Sequence, residues 1–129
     1  MGEKVRVAVI GGGRTGGPLL ENLLELPYVV VVGVADKDSE CRGAELAKQH
    51  GFLFTNDAAV FAARNNEIDV IIEVSGDPSV KPALKDAFQT NDNRHTIILH
   101  DLVARLVLSL AMGSNELIPT YHPDDEGIG

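Results

Sequence analysis

Six residues near the N-terminus, Gly11-Gly12-Gly13-Arg14-Thr15-Gly16, carry the strongest chemical signal in the sequence. Gly11, Gly13 and Gly16 fill the three glycine places of a G-x-G-x-x-G pattern. Gly11 allows a sharp turn off a strand. Gly13 lacks a Cβ, so a pyrophosphate can approach the backbone. Gly16 lets a following helix pack close to that strand. The helix start presents free N–H groups and the positive end of its dipole to an anion. Gly17-Pro18 is compatible, because proline in a first helical turn gives up no intrahelical bond. All six loop residues are therefore candidates for contact with a dinucleotide's phosphates.

The flanks of this loop matter more than the loop itself. It directly follows a β-branched run, Val5–Ile10, and precedes leucines at helical spacing, Leu19, Leu20, Leu23 and Leu24. A second β-branched run, Tyr28–Ala35, ends at Asp36, twenty residues after Gly16. An acid there accepts hydrogen bonds from both hydroxyls of a ribose. It also repels a 2′-phosphate, which favours NAD over NADP. The neighbouring Lys37 weakens that preference.

The rest of the chain repeats the same strand–helix beat. Pro27 stops the first helix. Ser39 is a candidate cap for a second helix running to about His50, with Gly51 as its stop. Phe52–Thr55 reads as a third strand, and Asp57 as the cap of a helix to about Asn65. Asp69–Val74 is a fourth strand, followed by a Gly76-Asp77-Pro78-Ser79 turn and a helix to about Thr90. His95–Leu99 is a fifth strand, and Asp101 the cap of a last helix to about Met112. Five β-α units call for an α/β fold, a three-layer doubly wound parallel sheet with helices on both faces. The expected strand order is 3-2-1-4-5. Residues 1–113 are expected to form this domain, and residues 114–129 a flexible acidic tail.

Composition narrows the function classes. Eleven Lys and Arg against nineteen Asp and Glu give a net charge of −8, which opposes sequence-independent nucleic-acid binding. With 44% hydrophobic and 23% charged residues the chain is not a disordered one. A single cysteine, Cys41, excludes an internal disulfide and a Cys-rich zinc site, and suits a reducing compartment. No apolar run approaches the about 20 residues of a membrane helix, and the first residues lack a secretory pattern, so a cytoplasmic protein is expected.

The segments Val5-Arg6-Val7-Ala8-Val9-Ile10 with the glycine loop, Val32-Gly33-Val34-Ala35-Asp36, and Asp69-Val70-Ile71-Ile72-Glu73-Val74-Ser75-Gly76 resemble the N-terminal Rossmann domain of the glucose–fructose oxidoreductase / inositol dehydrogenase family. They are similar, more loosely, to dihydrodipicolinate reductase and homoserine dehydrogenase. The resemblance spans about residues 4 to 100. It implies an NAD(P)-binding domain of oxidoreductase type. It also implies that Ser75 and Gly76, at the end of the fourth strand, contact ribose and pyrophosphate on the nicotinamide side. Ser75 reads equally well as a turn residue or helix cap near Pro78.

Two departures stand out. The family has a Glu-Lys-Pro motif after the fifth strand, whose lysine helps catalysis, where this chain has His100-Asp101-Leu102. The family also has a second domain that binds substrate, and 129 residues leave no room for one. His100 and Asp101 are the candidate acid/base pair, but the plainer reading is Asp101 as a helix cap and His100 as a loop residue near the cleft. His50, His95 and Cys41 read as a helix end, a strand start and a helix start. His122 with Asp124 and Asp125 reads as an acidic tail rather than a metal site. Two functions remain open. One is a dehydrogenase-type protein that borrows its substrate site from a partner chain or further domain. The other is a non-catalytic NAD(H) sensor, the input module of a bacterial signalling protein. In the sensor the apolar last helix, Leu106 to Met112, would contact a second copy or domain, although most of that face reads equally as packing on its own sheet. Coenzyme A or FAD in the same crevice is a third possibility.

Overall fold

In a computed structural model, which describes residues 2–121, strand β1 (Val5–Ile10) lies at the centre of a parallel sheet. β2 (Val29–Ala35) and β4 (Val70–Glu73) flank it, and β3 (Leu53–Thr55) and β5 (Ile97–Leu99) form the edges. The order among the described residues is β3-β2-β1-β4-β5, with every pairing parallel, as the strand–helix beat predicts. Strand order reverses between β1 and β4, and the crevice above that reversal is where ligands of such sheets sit.

Alternation along β1 divides the core. Val7 and Val9 face one layer with Leu19, Leu20 and Leu46, while Ala8 and Ile10 face the other with Phe61, Ile71 and Leu84. Helix α1 (Gly16–Leu24) packs between α2 (Arg42–His50) and α5 (Asp101–Ala111) on the first face. α3 (Ala59–Ala63) and α4 (Val80–Thr90) cover the second. The β1–β2 register shifts between Val7 and Ala8, so β2 carries one extra residue, Val32. Beyond that bulge Ile10 pairs with Ala35, and Gly11 and Asp36 leave the sheet side by side.

Several boundaries differ from those predicted, each for a local reason. Cys41, not Ser39, is the N-cap of α2, because Asp36 and Asp38 hold the preceding loop in turns of their own. Asp57 lies one residue before the N-cap of α3, Ala58, although its carboxylate accepts the Ala59 N–H at 3.0 Å. α3 ends at Ala63, and a 3-10 turn over Asn65–Glu67 follows, with Asn65 at φ 52. β5 starts at Ile97. His95, outside it, bonds Asp69 Oδ1 at 2.8 Å. The cap of α5 is His100, while Asp101 is its first helical residue and pairs with Arg105 one turn on, at 2.7 Å. Gly51 at φ 78 ends α2 as predicted.

After α5, residues 114–121 carry neither helix nor strand, yet they are tied back along it. Ile118 donates its N–H to Ser109 Oγ at 3.0 Å, and its carbonyl accepts from Arg105 Nη1 at 3.1 Å. His122, Asp124 and Asp125 lie outside the described residues. Among the described residues no helix is long and apolar enough to cross a membrane.

Candidate functional site

The glycine loop connects β1 to α1, and its glycines fall into two kinds. Gly11 has φ +99, and a Cβ there would lie 2.8 Å from the Ser75 backbone. At Gly16 a Cβ would lie 1.6 Å from the Gly11 carbonyl oxygen. These two positions close the turn against β4 and against itself. Gly12 packs on the start of α2, where Gly43 N–H donates to the Gly12 carbonyl at 2.9 Å. A Cβ on Gly12 would meet Gly43 Cα at 3.0 Å. Gly13 is different, for nothing lies within 4 Å of the Cβ position.

Thr15 is the buried N-cap of α1, without a side-chain cap bond. Arg14 stands over the ring of Tyr121 at 5.2 Å from its centroid. Tyr121, Arg14, Thr15, Gly11, Gly13 and Gly16 line a cavity of about 240 Å³ above the loop.

Asp36 leaves β2 beside this loop. Its Oδ2 accepts the Gly12 N–H at 2.8 Å, and its Oδ1 accepts the Asp38 N–H at 2.9 Å. A carboxylate offers about four lone-pair sites, so each oxygen can accept one more bond. A larger cavity of about 380 Å³ opens on the other side of Asp36, between the end of β2 and the start of α4. Ile10, Ala35, Val80 and Leu84 supply apolar walls, and Lys37, Asn56, Asp57 and Asp77 supply polar ones. Asp36 and Ser75 line both cavities. Asn56 Nδ2 bonds the Asp36 carbonyl at 2.8 Å and ties the two strand ends together.

Lys37 Nζ lies 2.5 Å from Asp77 Oδ2. Lys37 and then the Ser79 hydroxyl and N–H hold the Asp77 carboxyl down to about 2. Gly76, at φ +70, turns the chain that presents Asp77.

Toward β5 the polar groups close on one another. Glu73 is fully buried, and its Oε1 accepts the Ser75 hydroxyl at 2.5 Å and the Ser75 N–H at 3.0 Å. Its Oε2 faces His100 Nδ1 at 3.8 Å, and neither atom makes a hydrogen bond. His100 and Asp101 turn to different partners, Glu73 and Arg105, so they do not form an acid/base pair with each other. Burial pushes the Cys41 thiol up, which opposes a thiolate there. Among the described residues no three His, Cys, Asp or Glu side chains gather where a metal could be held.

The structure brings Gly11, Gly13, Arg14, Thr15 and Gly16 to the smaller cavity and Lys37 to the larger, with Asp36 and Ser75 bordering both, while Gly12 and Gly76 line neither. Sequence reasoning missed Gly43, Glu73, Asp77 and Tyr121. Asp77 and Glu73 flank the predicted Ser75-Gly76 pair and are charged residues at a strand end, a signal that was available. Nothing local marks Tyr121, more than a hundred residues from the loop it covers.

No family model and no curated protein matches the chain. Solved structures do match. GenD2 from gentamicin A biosynthesis, in complex with NAD, is 23% identical, with a TM-score of 0.60 over 88% of this chain and 32% of that one. The myo-inositol dehydrogenase of Lactobacillus casei, in complex with NAD(H) and myo-inositol, is 20% identical, with a TM-score of 0.58 over 88% and 34%. The scyllo-inositol dehydrogenase of Lactobacillus casei, with NAD(H) and scyllo-inositol, is 13% identical, with a TM-score of 0.56 over 86% and 33%. The chain spans about a third of the length of these proteins. At these identities the shared feature is the fold, and the chain is a doubly wound Rossmann-type domain.

Proposed function

We propose that this chain is an NAD(H)-binding domain of oxidoreductase type. The observation that carries the reading is the pairing of Gly13 and Asp36 around one crevice. Gly13 is open where a pyrophosphate would sit, and the Asp36 carboxylate has acceptor sites to spare for a ribose diol. Gly11 to Gly16 would hold the phosphates, Asp36 the adenosine ribose, and Ser75 and Gly76 the nicotinamide side. When bound, the dinucleotide supplies hydride transfer. The three similar structures described above, each with NAD or NAD(H), support this choice of cofactor. The single buried thiol of Cys41 suits a reducing, cytoplasmic setting.

Among the described residues, His100 and Asp101 turn to Glu73 and Arg105, and neither lines the two cavities. A substrate site from a further domain or a partner chain therefore completes the dehydrogenase reading. A sensor reading is favoured by a separate observation. The outer face of α5 exposes Leu102, Leu106 and Leu110 at 60%, 51% and 73%, a contact surface for a second copy or domain.

Titration with NADH, followed by its fluorescence, tests the cofactor. Saturable binding that Asp36→Ala weakens is expected. Absence of binding at millimolar NAD(H) overturns the reading. Different affinities for NAD and NADH, coupled to a change in oligomeric state, would favour the sensor. Turnover with a polyol or hydroxy acid would favour the dehydrogenase.

A further inference from the structure

Lys37 follows directly on the acid that would hold the adenosine ribose. A cation near this place is what accommodates a 2′-phosphate in dinucleotide sites. On sequence alone Lys37 therefore softens the preference for NAD. Its surroundings reverse that.

Lys37 is not a free cation. Its ammonium sits 2.5 Å from Asp77 Oδ2, across the mouth of the larger cavity. Asp77 is itself fixed from three sides. Its N–H donates to Ser75 Oγ at 3.1 Å, and its Oδ1 accepts the Ser79 N–H at 3.0 Å and the Ser79 hydroxyl at 2.7 Å. Its side chain is only 20% exposed, whereas that of Lys37 is 78% exposed. Asp77 is the anchor, and the flexible lysine has come to it. Among the described residues, the charged groups lining this cavity are Asp36, Asp57 and Asp77 against Lys37. A phosphate monoester carries about −1.5 to −2 charges at neutral pH, so it would enter a negative mouth with its one counter-charge already taken.

We propose that Asp77 is a specificity-determining residue that sequesters Lys37 and so selects dinucleotides with a free 2′-hydroxyl over 2′-phosphorylated ones. This rests on the reading of the crevice as a dinucleotide site. Asp36 excludes the 2′-phosphate by repulsion, and Asp77 excludes it by withholding the cation that would offset that repulsion. The two acids come from different strand ends, so discrimination is distributed across the cavity mouth.

The experiment measures NADH and NADPH affinity by fluorescence titration for the intact chain, for Asp77→Asn, and for Asp77→Asn combined with Lys37→Ala. Asparagine keeps the shape and still accepts from Ser79. Asp77→Ser serves as a second variant, and a thermal melt confirms that each is folded. Asp77→Asn is expected to tighten NADPH about tenfold while NADH stays within about threefold. The added Lys37→Ala substitution is expected to abolish that gain. An unchanged NADPH/NADH ratio with binding intact overturns the proposal alone. A gain that survives Lys37→Ala also overturns it, because the cation would then play no part. If the intact chain and all variants bind neither dinucleotide at millimolar concentration, the dinucleotide reading fails, and this proposal with it.

Discussion

On the β2 side of the crevice the polar groups look into open cavities, and on the β5 side they look at one another. Asp36 bonds two backbone N–H groups and still borders both cavities. Glu73, level with Ala35 at the end of β4, is fully buried and spends one oxygen on Ser75. Its other oxygen faces a histidine nitrogen that has no other partner. Asp101 is drawn off by Arg105. Two carboxylates at the ends of the strands on either side of β1 thus have opposite environments. The difference teaches that an open strand end leaves a carboxylate's acceptor sites facing a cavity, whereas burial leaves Glu73 Oε2 and Asp101 Oδ1 without a hydrogen-bond partner.

The sharpest way to break this comparison is within the glycine loop. Gly16→Ala would drive a Cβ into the Gly11 carbonyl and is expected to cost more than about 4 kcal/mol, seen as loss of a cooperative melt. Gly13→Ala meets no neighbour, so its melt should be unchanged while NADH affinity falls at least about tenfold. Equal damage by both substitutions would mean that the open face of Gly13 serves packing, not a phosphate.

Asp36→Ala removes the proposed ribose acceptor and the bonds from the Gly12 and Asp38 N–H groups. A loss of about 10- to 100-fold in NADH affinity is expected, with a drop of about 1 kcal/mol in stability by denaturant unfolding. Glu73→Gln probes the closed side. The amide can still accept from Ser75, and it offers His100 Nδ1 a donor where two unpartnered atoms now face each other. Stability is expected to rise by about 1 kcal/mol, with NADH affinity unchanged within about twofold. A large loss of affinity would move Glu73 into the open half of the comparison.

The smallest effect is on acid stability. Lys37 and Ser79 hold Asp77 down to about 2, and Arg6 with His95 holds Asp69 well below the carboxylate range. A depressed carboxyl contributes stability that is complete above its unfolded value, near 3.8, and lost as pH falls toward its folded one. The melt should therefore be insensitive to these groups above pH 4 and fall below it. Asp77→Asn should make that fall shallower, measured by melts between pH 4 and pH 2.

The sheet order and the loop were legible because each rests on local pattern. β-branched runs separated by amphipathic stretches admit few topologies, and G-x-G-x-x-G with Asp36 has a fixed spacing. Helix starts were less legible. Ser39, Asp57 and Asp101 are all good capping residues by type, but each competes with another use of the side chain or its neighbours. Asp101 shows this most plainly. Its pairing with Arg105 is an i, i+4 signal present in the sequence, and it outweighs the cap. The roles of Asp77 and Tyr121 were not legible, because they depend on which strand ends and which returning segment meet in space.

Tyr121 has one practical consequence. The chain contains no tryptophan and two tyrosines. Tyr28 precedes β2, at the opposite end of the sheet from the crevice, while Tyr121 borders the cavity over the glycine loop. The ultraviolet emission of this protein is therefore divided between one ring remote from the site and one that forms its wall. A ligand seated in that cavity would change the surroundings of the Tyr121 ring, so its emission would report occupancy without a label. Tyr121→Phe removes that half of the signal, so the molecule carries its own optical gauge and its own blank.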